Sequence, residues 1–238
     1  MLDTRAGRSL FLAAYFAYKR RIEDPYAALI ARRPELFRGG HILDVGANVG
    51  YCSVLFADAA DAGRKVYAFE PEPFNFDLLQ EALRRHGVEE LVKAQRAAVG
   101  ATDCTLRMRL NPRHHGDHRV ASVAGAGTIE VPAVRIDSVV ERERISPVRF
   151  IKIDVQGYEP AVCQGMEGTL AANPDCVVSL EYMPEALREQ GFEPRELLNW
   201  FAGRGYHACA VMREGEVPQD IVESMPAGGW IDLLFQRG

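Results

Sequence analysis

The segment from His41 to Ala60 constrains the fold of this chain more than any other. An apolar, strand-like run leads into a turn with Gly46 and Gly50, and an apolar, helix-like run follows directly. Strand, glycine turn and helix in this order form a βα unit, whose helix N-terminus presents unpaired N–H groups to a ligand. Glu70 ends a second predicted strand, 65–70, where a carboxylate can accept from a ribose hydroxyl. The pattern predicts an α/β domain that binds a nucleotide-like cofactor.

The residues of the glycine turn distinguish between cofactors. A dinucleotide-binding turn needs glycine at three positions so that the backbone can approach a pyrophosphate, but here those positions hold Gly46, Asn48 and Tyr51. Asp44 precedes the turn, and its carboxylate would repel a pyrophosphate but attract an ammonium group. S-adenosylmethionine carries an ammonium group, a ribose for Glu70 and no phosphate. The turn therefore favours S-adenosylmethionine, with the alternative that Asp44 only caps the helix.

Three blocks of the sequence resemble the hallmark motifs of the FkbM family of S-adenosylmethionine-dependent methyltransferases. They are Val-Gly-Ala-Asn-Val-Gly at 45–50, Phe-Glu-Pro-Glu-Pro at 69–73 and Ile-Lys-Ile-Asp-Val-Gln-Gly-Tyr-Glu at 151–159, and the similarity spans about residues 40 to 185. Gln156 departs from the glutamate that is commonest in the third block. The resemblance implies a class I methyltransferase fold and O-methylation of a hydroxyl on a sugar, natural product or other small metabolite.

Predicted strands and helices alternate from residue 39 onward, as in a mostly parallel sheet. We predict strands at 41–45, 65–70, 92–99, 149–154, 176–182, 206–212 and 230–236, and helices at 50–60, 74–86, 137–143, 159–172 and 194–203. With the resemblance, the expected fold is a Rossmann-like class I methyltransferase domain at 39–238, with a seven-stranded sheet in the order 3-2-1-4-5-7-6. The first and fourth strands then flank the switch point where ligands bind.

Two segments stand apart from this alternation. Residues 1–38 are predicted to form a helical extension with breaks near Pro25 and Pro34. This extension either packs as core, covers the cofactor site or forms a homodimer interface. An insertion at about 103–136 contains two segments that alternate like strands, around a polar loop. Long connections inside compact domains are usually functional or disordered, so we expect this loop near the reaction centre.

Transfer of a methyl group to a hydroxyl requires an aligned acceptor, exclusion of water and a base. The insertion loop carries three of the histidines of the chain, of which His118 is the expected base. His114, His115 and Arg119 are the expected acceptor-binding residues. The resembling family often has a Gly-Asp-His-Arg-like stretch here, matched by 116–119. The alternative is a solvated hairpin loop.

Carboxylates at neighbouring strand ends complete the expected catalytic set, which is His118, Asp154 and Glu181. Asp154 can receive the ammonium group of the cofactor, contact the acceptor, bind a metal or cap the following helix. A divalent ion between the two carboxylates is allowed but not favoured, because the spacing lacks a compact ligand motif. The expected cofactor-binding residues are Asp44, Gly46, Asn48, Gly50, Glu70, Pro71, Ala97 and Asp154.

Composition narrows the class of protein further. The chain has 238 residues, of which 47% are hydrophobic, and a net charge of −5, which suits one α/β domain and disfavours nucleic acid as a partner. Five scattered cysteines without a Cys-x-x-Cys pair are typical of a cytoplasmic protein, and the apolar run at 10–18 is too short to span a membrane.

Two alternatives stay open: an NAD-dependent oxidoreductase or epimerase, which the missing glycines disfavour, and a non-catalytic cofactor-binding module.

Overall fold

The computed structural model describes residues 4–23, 25–111, 116, 118–121, 123, 125–211 and 225–237. The strands among these residues are β1 (His41–Val45), β2 (Val66–Phe69), β3 (Val92–Gln95), β4 (Ala98–Val99), β5 (Cys104–Arg109), β6 (Arg119–Val120), β7 (Thr128–Val134), β8 (Val148–Ile153), β9 (Val177–Tyr182), β10 (Tyr206–Ala210) and β11 (Ile231–Arg237). The α-helices are α1 (Arg5–Tyr18), α2 (Pro25–Arg32), α3 (Tyr51–Ala59), α4 (Pro73–His86), α5 (Ile136–Glu143), α6 (Glu159–Gln164), α7 (Glu167–Ala172), α8 (Pro184–Glu189) and α9 (Pro194–Ala202).

Seven of these strands form a central sheet in the order β3-β2-β1-β8-β9-β11-β10. The strands from β3 to β9 pair in parallel, and β11 runs antiparallel to both of its neighbours. Counted along the strands of this sheet, the order is 3-2-1-4-5-7-6, which confirms the prediction. The carboxyl ends of β1 and β8 are adjacent at the centre of the sheet, where the chain reverses its direction of winding.

The apolar residues of the sheet alternate between two cores, one on each face. On β1, Leu43 and Val45 belong to a core with helices α5 to α9, whereas Ile42 belongs to a second core with α2, α3 and α4. Strands that are buried on both faces are near-continuously apolar, as the sequence Val-Tyr-Ala-Phe of β2 shows. The helix α1 packs through Leu12 beside α4 at the edge of the second core.

The predicted strand at 92–99 is wrong as a single element. The chain leaves the central sheet after Gln95, and β4 instead pairs in parallel with β7 in a second sheet, ordered β4-β7-β5-β6. The two strands predicted within the insertion are present as β5 and β7, which pair antiparallel. Alternation of Met108, Val131 and Ala133 with polar residues gives this small sheet one apolar face.

The predicted helix at 159–172 is also wrong as a single element, because α6 ends at Gln164 and α7 begins at Glu167. A Cβ atom at Gly165 would lie 2.1 Å from the carbonyl oxygen of Gly100, so the two backbones meet here without space for a side chain. The six-residue helix α8 lacks a prediction, since it is too short to show helical periodicity. The expected helical breaks near Pro25 and Pro34 are confirmed, with a π-helical turn at Lys19–Glu23 and a 3₁₀ turn at Pro34–Phe37.

Candidate active site

A cavity of about 650 Å³, counted with its open mouth, lies at the carboxyl ends of β1, β2 and β8. One part of its wall is apolar and comes from β2 and the second sheet, with Phe69, Ala97, Ala98, Met108 and Val120. The other part is polar and comes from the loops after the three central strands, with Asn48, Glu70, Asp154 and Gln156. Such a wall suits a ligand with a flat apolar end and a polar end.

The turn after β1 is held by backbone contacts that only glycine permits. Gly46 has a φ of +76°, and a Cβ atom there would lie 1.9 Å from the carbonyl oxygen of Asp154. The amides of Gly46 and Ala47 donate to the carbonyl oxygen of Phe69 at 3.0 and 2.9 Å. Gly46 therefore lets three loops meet at the cavity, as the glycine pattern predicts.

Gly50 has a different position from the one expected of a cofactor-binding residue. It precedes α3 with a φ of +89°, and a Cβ atom there would lie 2.6 Å from Cδ1 of Leu79 on α4. The residue does not line the cavity. Its contribution is close packing of α3 against α4, which fixes where the N-terminus of α3 points.

Glu70 lies in the wall of the cavity and is 5% exposed. Its carboxylate accepts hydrogen bonds from the backbone amides of Asn48 at 2.8 Å and Glu72 at 2.9 Å. Burial raises the pKa of Glu70 to about 7, although these two hydrogen bonds act in the opposite direction. Pro71 follows in the wall, next to the carboxylate. Glu70 is thus placed by the backbone before any ligand binds.

Asp44 does not reach the cavity, which corrects the expectation that it contacts a ligand directly. Its carboxylate is fully buried and accepts from the Ser53 hydroxyl at 2.5 Å. The Lys152 ammonium lies 3.5 Å from its other oxygen. A positive charge therefore neutralises Asp44, as the motif suggests, but that charge belongs to the chain itself.

Lys152 joins the two central strands at this point. Its ammonium donates to the carbonyl oxygen of Gly46 at 2.9 Å and lies 3.3 Å from Oδ2 of Asp154. Burial alone would lower the pKa of this amine, but the carboxylates of Asp154 and Asp44 outweigh it and raise the pKa well above its usual value. The lysine thus stays charged inside the protein and supports the loop that lines the cavity.

Three carboxylates, Asp154, Glu181 and Asp232, gather beside the polar end of the cavity. The amide nitrogen of Gln156 donates to Asp154 at 2.9 Å and to Glu181 at 2.8 Å. Asp232 of β11 is the register partner of Glu181. Burial, followed by the charge of Asp154, raises the pKa of Glu181 to about 9 and that of Asp232 to about 7. Burial among these carboxylates therefore favours the protonated form of Glu181.

The expected residues of the insertion loop are only partly brought to the cavity. His118 lines it, and its Nδ1 atom accepts from the backbone amide of Asn111 at 3.0 Å. In the neutral ring this contact leaves the hydrogen on Nε2, where it can be donated, and the role of His118 as the base stays a prediction. Arg119 forms an ion pair with Glu189 of α8 at the surface. His114 and His115 lie outside the described residues.

The N-terminal helix reaches the polar end of the cavity as well as packing on the domain. The Tyr15 hydroxyl lies 3.5 Å from the side-chain nitrogen of Asn48, which is a cavity residue. Phe74, on α4, contacts the guanidinium of Arg8 of the same extension. One face of α1 therefore packs as core, and the same helix reaches a residue of the cavity wall through Tyr15.

Several residues of the site were not predicted from the sequence, although two of them, Lys152 and Asp232, can be recognised by their position in a strand. Lys152 stands in an otherwise apolar strand two positions before Asp154, so both side chains lie on one face. Asp232 likewise interrupts the apolar start of the last strand. The contact between Tyr15 and Asn48 could not be predicted from the sequence, because it depends on how the whole helix α1 packs on the domain.

The described residues lack two further kinds of feature. In the described ranges, no group of three or more His, Cys, Asp and Glu side chains has an arrangement that could hold a metal ion. No helix in the same part of the chain is long and apolar enough to cross a membrane.

Residues 44–208 match the model of the methyltransferase FkbM domain. The chain belongs to the FkbM methyltransferase family. It is 29% identical to the 31-O-demethyl-FK506 methyltransferase FkbM of Streptomyces tacrolimicus, with 84% of this chain and 90% of the relative covered. It is 28% identical to the hexuronic acid methyltransferase AglP of Haloferax volcanii, but this similarity covers 53% of this chain and only half of AglP.

Solved methyltransferases share the fold at low sequence identity. An O-methyltransferase from Bacillus cereus, solved with SAH, has a TM-score of 0.55 at 15% identity and covers 98% of this chain and 90% of its own. The O-methyltransferase TomG from Streptomyces achromogenes, solved with SAM, has a TM-score of 0.54 at 16% identity, with 91% and 82% covered. The FkbM methyltransferase described here therefore has the class I methyltransferase fold, and the NAD-dependent alternative is not favoured.

Proposed function

We propose that this chain uses S-adenosylmethionine to methylate a hydroxyl oxygen of a small metabolite, sugar or natural product. The observation that carries the proposal is one cavity that joins a buried carboxylate, Glu70, to a second carboxylate, Asp154, along an apolar wall. Two relatives support the acceptor class, since one is named a 31-O-demethyl-FK506 methyltransferase and the other a hexuronic acid methyltransferase. A glycan acceptor is thus included in the proposal.

We orient the proposed cofactor by the polarity of the wall. Glu70 would accept from the ribose hydroxyls, Ala97 and Pro71 would border the adenine, and Asp154 would receive the ammonium group. The bound cofactor supplies a methyl group on a sulfonium, which is the reactive carbon of the transfer. Gly46 and Asn48 position the intervening part by close backbone approach.

The acceptor hydroxyl must lose a proton during transfer, and we assign this proton to Asp232, the strand neighbour of Glu181. A base works best when its pKa is near the working pH, and Asp232 meets that condition with a pKa of about 7. Glu181, protonated beside it, would donate a hydrogen bond to the acceptor. The Nε2 hydrogen of His118 would do the same from the opposite wall.

Calorimetric titration tests the cofactor assignment. We expect heat and micromolar affinity with S-adenosylmethionine and with S-adenosylhomocysteine, and no heat with NAD. The reverse result would refute the proposal in favour of an oxidoreductase. A panel of sugars, macrolides and other hydroxylated metabolites with labelled S-adenosylmethionine then identifies the acceptor.

Variants of the acceptor side test the assigned roles once an acceptor is known. Asp232→Asn is expected to lower turnover by about 100-fold or more and to remove its rise with pH through about 7. His118→Ala is expected to keep the affinity for the cofactor and lose turnover, whereas His118→Gln, which retains a donor, recovers part of it. An unchanged pH profile in Asp232→Asn would exclude that residue as the base.

We also propose that the chain works in the cytoplasm as a homodimer formed through its N-terminal helices. Support comes from Leu10, Tyr18 and Ile22, which are 67%, 45% and 69% exposed along this segment. Light scattering is expected to give the dimer mass for the unmodified protein and the monomer mass for Leu10→Glu. A monomer in both would remove this part of the proposal.

A further inference from the structure

The amino-acid end of the proposed cofactor carries a carboxylate as well as an ammonium group. The side chains at the carboxyl ends of the central strands are suited to bind only the ammonium group. Asp154, which lines the cavity, suits an ammonium group but repels a carboxylate at close range. Lys152 is positively charged, but its side chain is 6% exposed and already contacts Asp44, Asp154 and the carbonyl oxygen of Gly46. The carboxylate therefore needs partners from another element.

The helix α1 brings such partners to the same end of the cavity. Tyr15 and Lys19 are four residues apart, so their side chains lie on one face of the helix. The Tyr15 hydroxyl lies 3.5 Å from Nδ2 of Asn48, in the cavity wall. The Lys19 ammonium lies 5.9 Å from the centre of the Tyr15 ring.

The surroundings of both side chains favour an anion between them and α3. The charge of Lys19 acts on Cys52, which lies in the first turn of α3. The N-terminus of a helix carries partial positive charge and unpaired N–H groups. Burial raises the pKa of Tyr15 to about 12, so its hydroxyl keeps its hydrogen and can donate it. Tyr15 and Lys19 thus lie together on the face of α1 that meets Asn48 and the start of α3.

We propose that Tyr15 and Lys19 bind the carboxylate of the cofactor, which makes the N-terminal helix a part of the cofactor site. The inference rests on the proposed function for the identity of this ligand. It gives α1 a role beyond packing, because the helix then closes the polar end of the cavity. The helix is anchored for this role by Leu12 in the core beside α4 and by stacking of Phe16 on His86.

A pair of ligands that differ by one group tests the inference. S-adenosylhomocysteine carries the carboxylate, whereas its decarboxylated form keeps the ammonium group and lacks the carboxylate. We expect Lys19→Met to weaken binding of S-adenosylhomocysteine by about 10- to 100-fold and Tyr15→Phe by about 5-fold, measured by calorimetry. Neither change should alter the affinity for the decarboxylated ligand.

Two controls separate a binding role from a structural one. Arg20→Met removes a neighbouring exposed cation and should leave both affinities unchanged, and Lys19→Arg should restore binding of S-adenosylhomocysteine. Equal loss for both ligands, or no loss for either, would overturn the inference.

The unmodified protein gives a second test that depends on no variant. It should bind S-adenosylhomocysteine at least 10-fold more tightly than the decarboxylated form, and equal affinities would overturn the inference while leaving the proposed function intact. Binding of neither ligand would refute the proposed function as well.

Discussion

The proposed cofactor side of the cavity and the insertion proposed to bind the acceptor differ in what holds their residues in place. On the cofactor side, Gly46, Asn48 and Glu70 are fixed by backbone hydrogen bonds and by contacts between loops. On the insertion, or acceptor side, Arg119 does not line the cavity and meets Glu189 at the surface. Backbone contacts tolerate few substitutions, whereas surface side chains can change at low cost. A family with one cofactor and many acceptors fits this division.

The buried ion pairs of Lys152 should show the largest effect on stability. Lys152→Met leaves Asp44 and Asp154 without their counter-charge, and we expect the free energy of unfolding to fall by about 3–5 kcal/mol at neutral pH. Urea denaturation measures this change. The double variant with Asp44→Asn should recover part of the loss. A loss below about 1 kcal/mol would mean that the cofactor side is no more tightly held than the surface.

The close approach at Gly46 should give the next largest effect. Gly46→Ala combines a left-handed backbone conformation with a Cβ atom 1.9 Å from the carbonyl oxygen of Asp154. We expect about 2–4 kcal/mol of destabilisation and loss of cofactor binding. Gly63 is the matched control, because its φ is +80° but nothing lies within 4 Å. Gly63→Ala should cost only about 1 kcal/mol, and equal losses would show that backbone strain alone matters.

Stability should also depend on pH through the buried carboxyls. The folded-state pKa values of Glu70 and Glu159 are about 7, above the ordinary value of 4.5. The folded protein then binds more protons than the unfolded chain between these values, so the free energy of unfolding should rise as the pH falls from about 7 to 4.5. Each carboxyl contributes up to about 3 kcal/mol. Glu70→Gln should remove its share, and a pH-independent stability would contradict the raised values.

The smallest effect is expected on the acceptor side. Arg119→Ala removes an ion pair with a partly exposed Glu189, and such pairs contribute less than about 1 kcal/mol. Urea denaturation should therefore give nearly the same free energy of unfolding as for the unmodified protein, and added salt should reduce the difference further. A loss comparable to that of Gly46→Ala would erase the contrast between the two sides.

The structural features that depend on the chemistry of neighbouring residues could be predicted from the sequence. The strand, the glycine turn and the position of Glu70 follow from residue type and spacing, and the sheet order follows from the fold that these motifs imply. The partner of Asp44 could not be predicted, because Lys152 reaches it only through pairing of strands more than one hundred residues apart. The ring nitrogen of His118 that carries the hydrogen could not be predicted either, since it depends on a contact with the backbone amide of Asn111.

The contact between Gly100 and Gly165 has a consequence for engineering. It fastens the start of the small sheet to the helical layer, and a side chain at position 165 would leave no space for the carbonyl group of residue 100. Transplanting residues 98–134 into another methyltransferase to change its acceptor preference should therefore succeed only when the host has glycine at the position of Gly165.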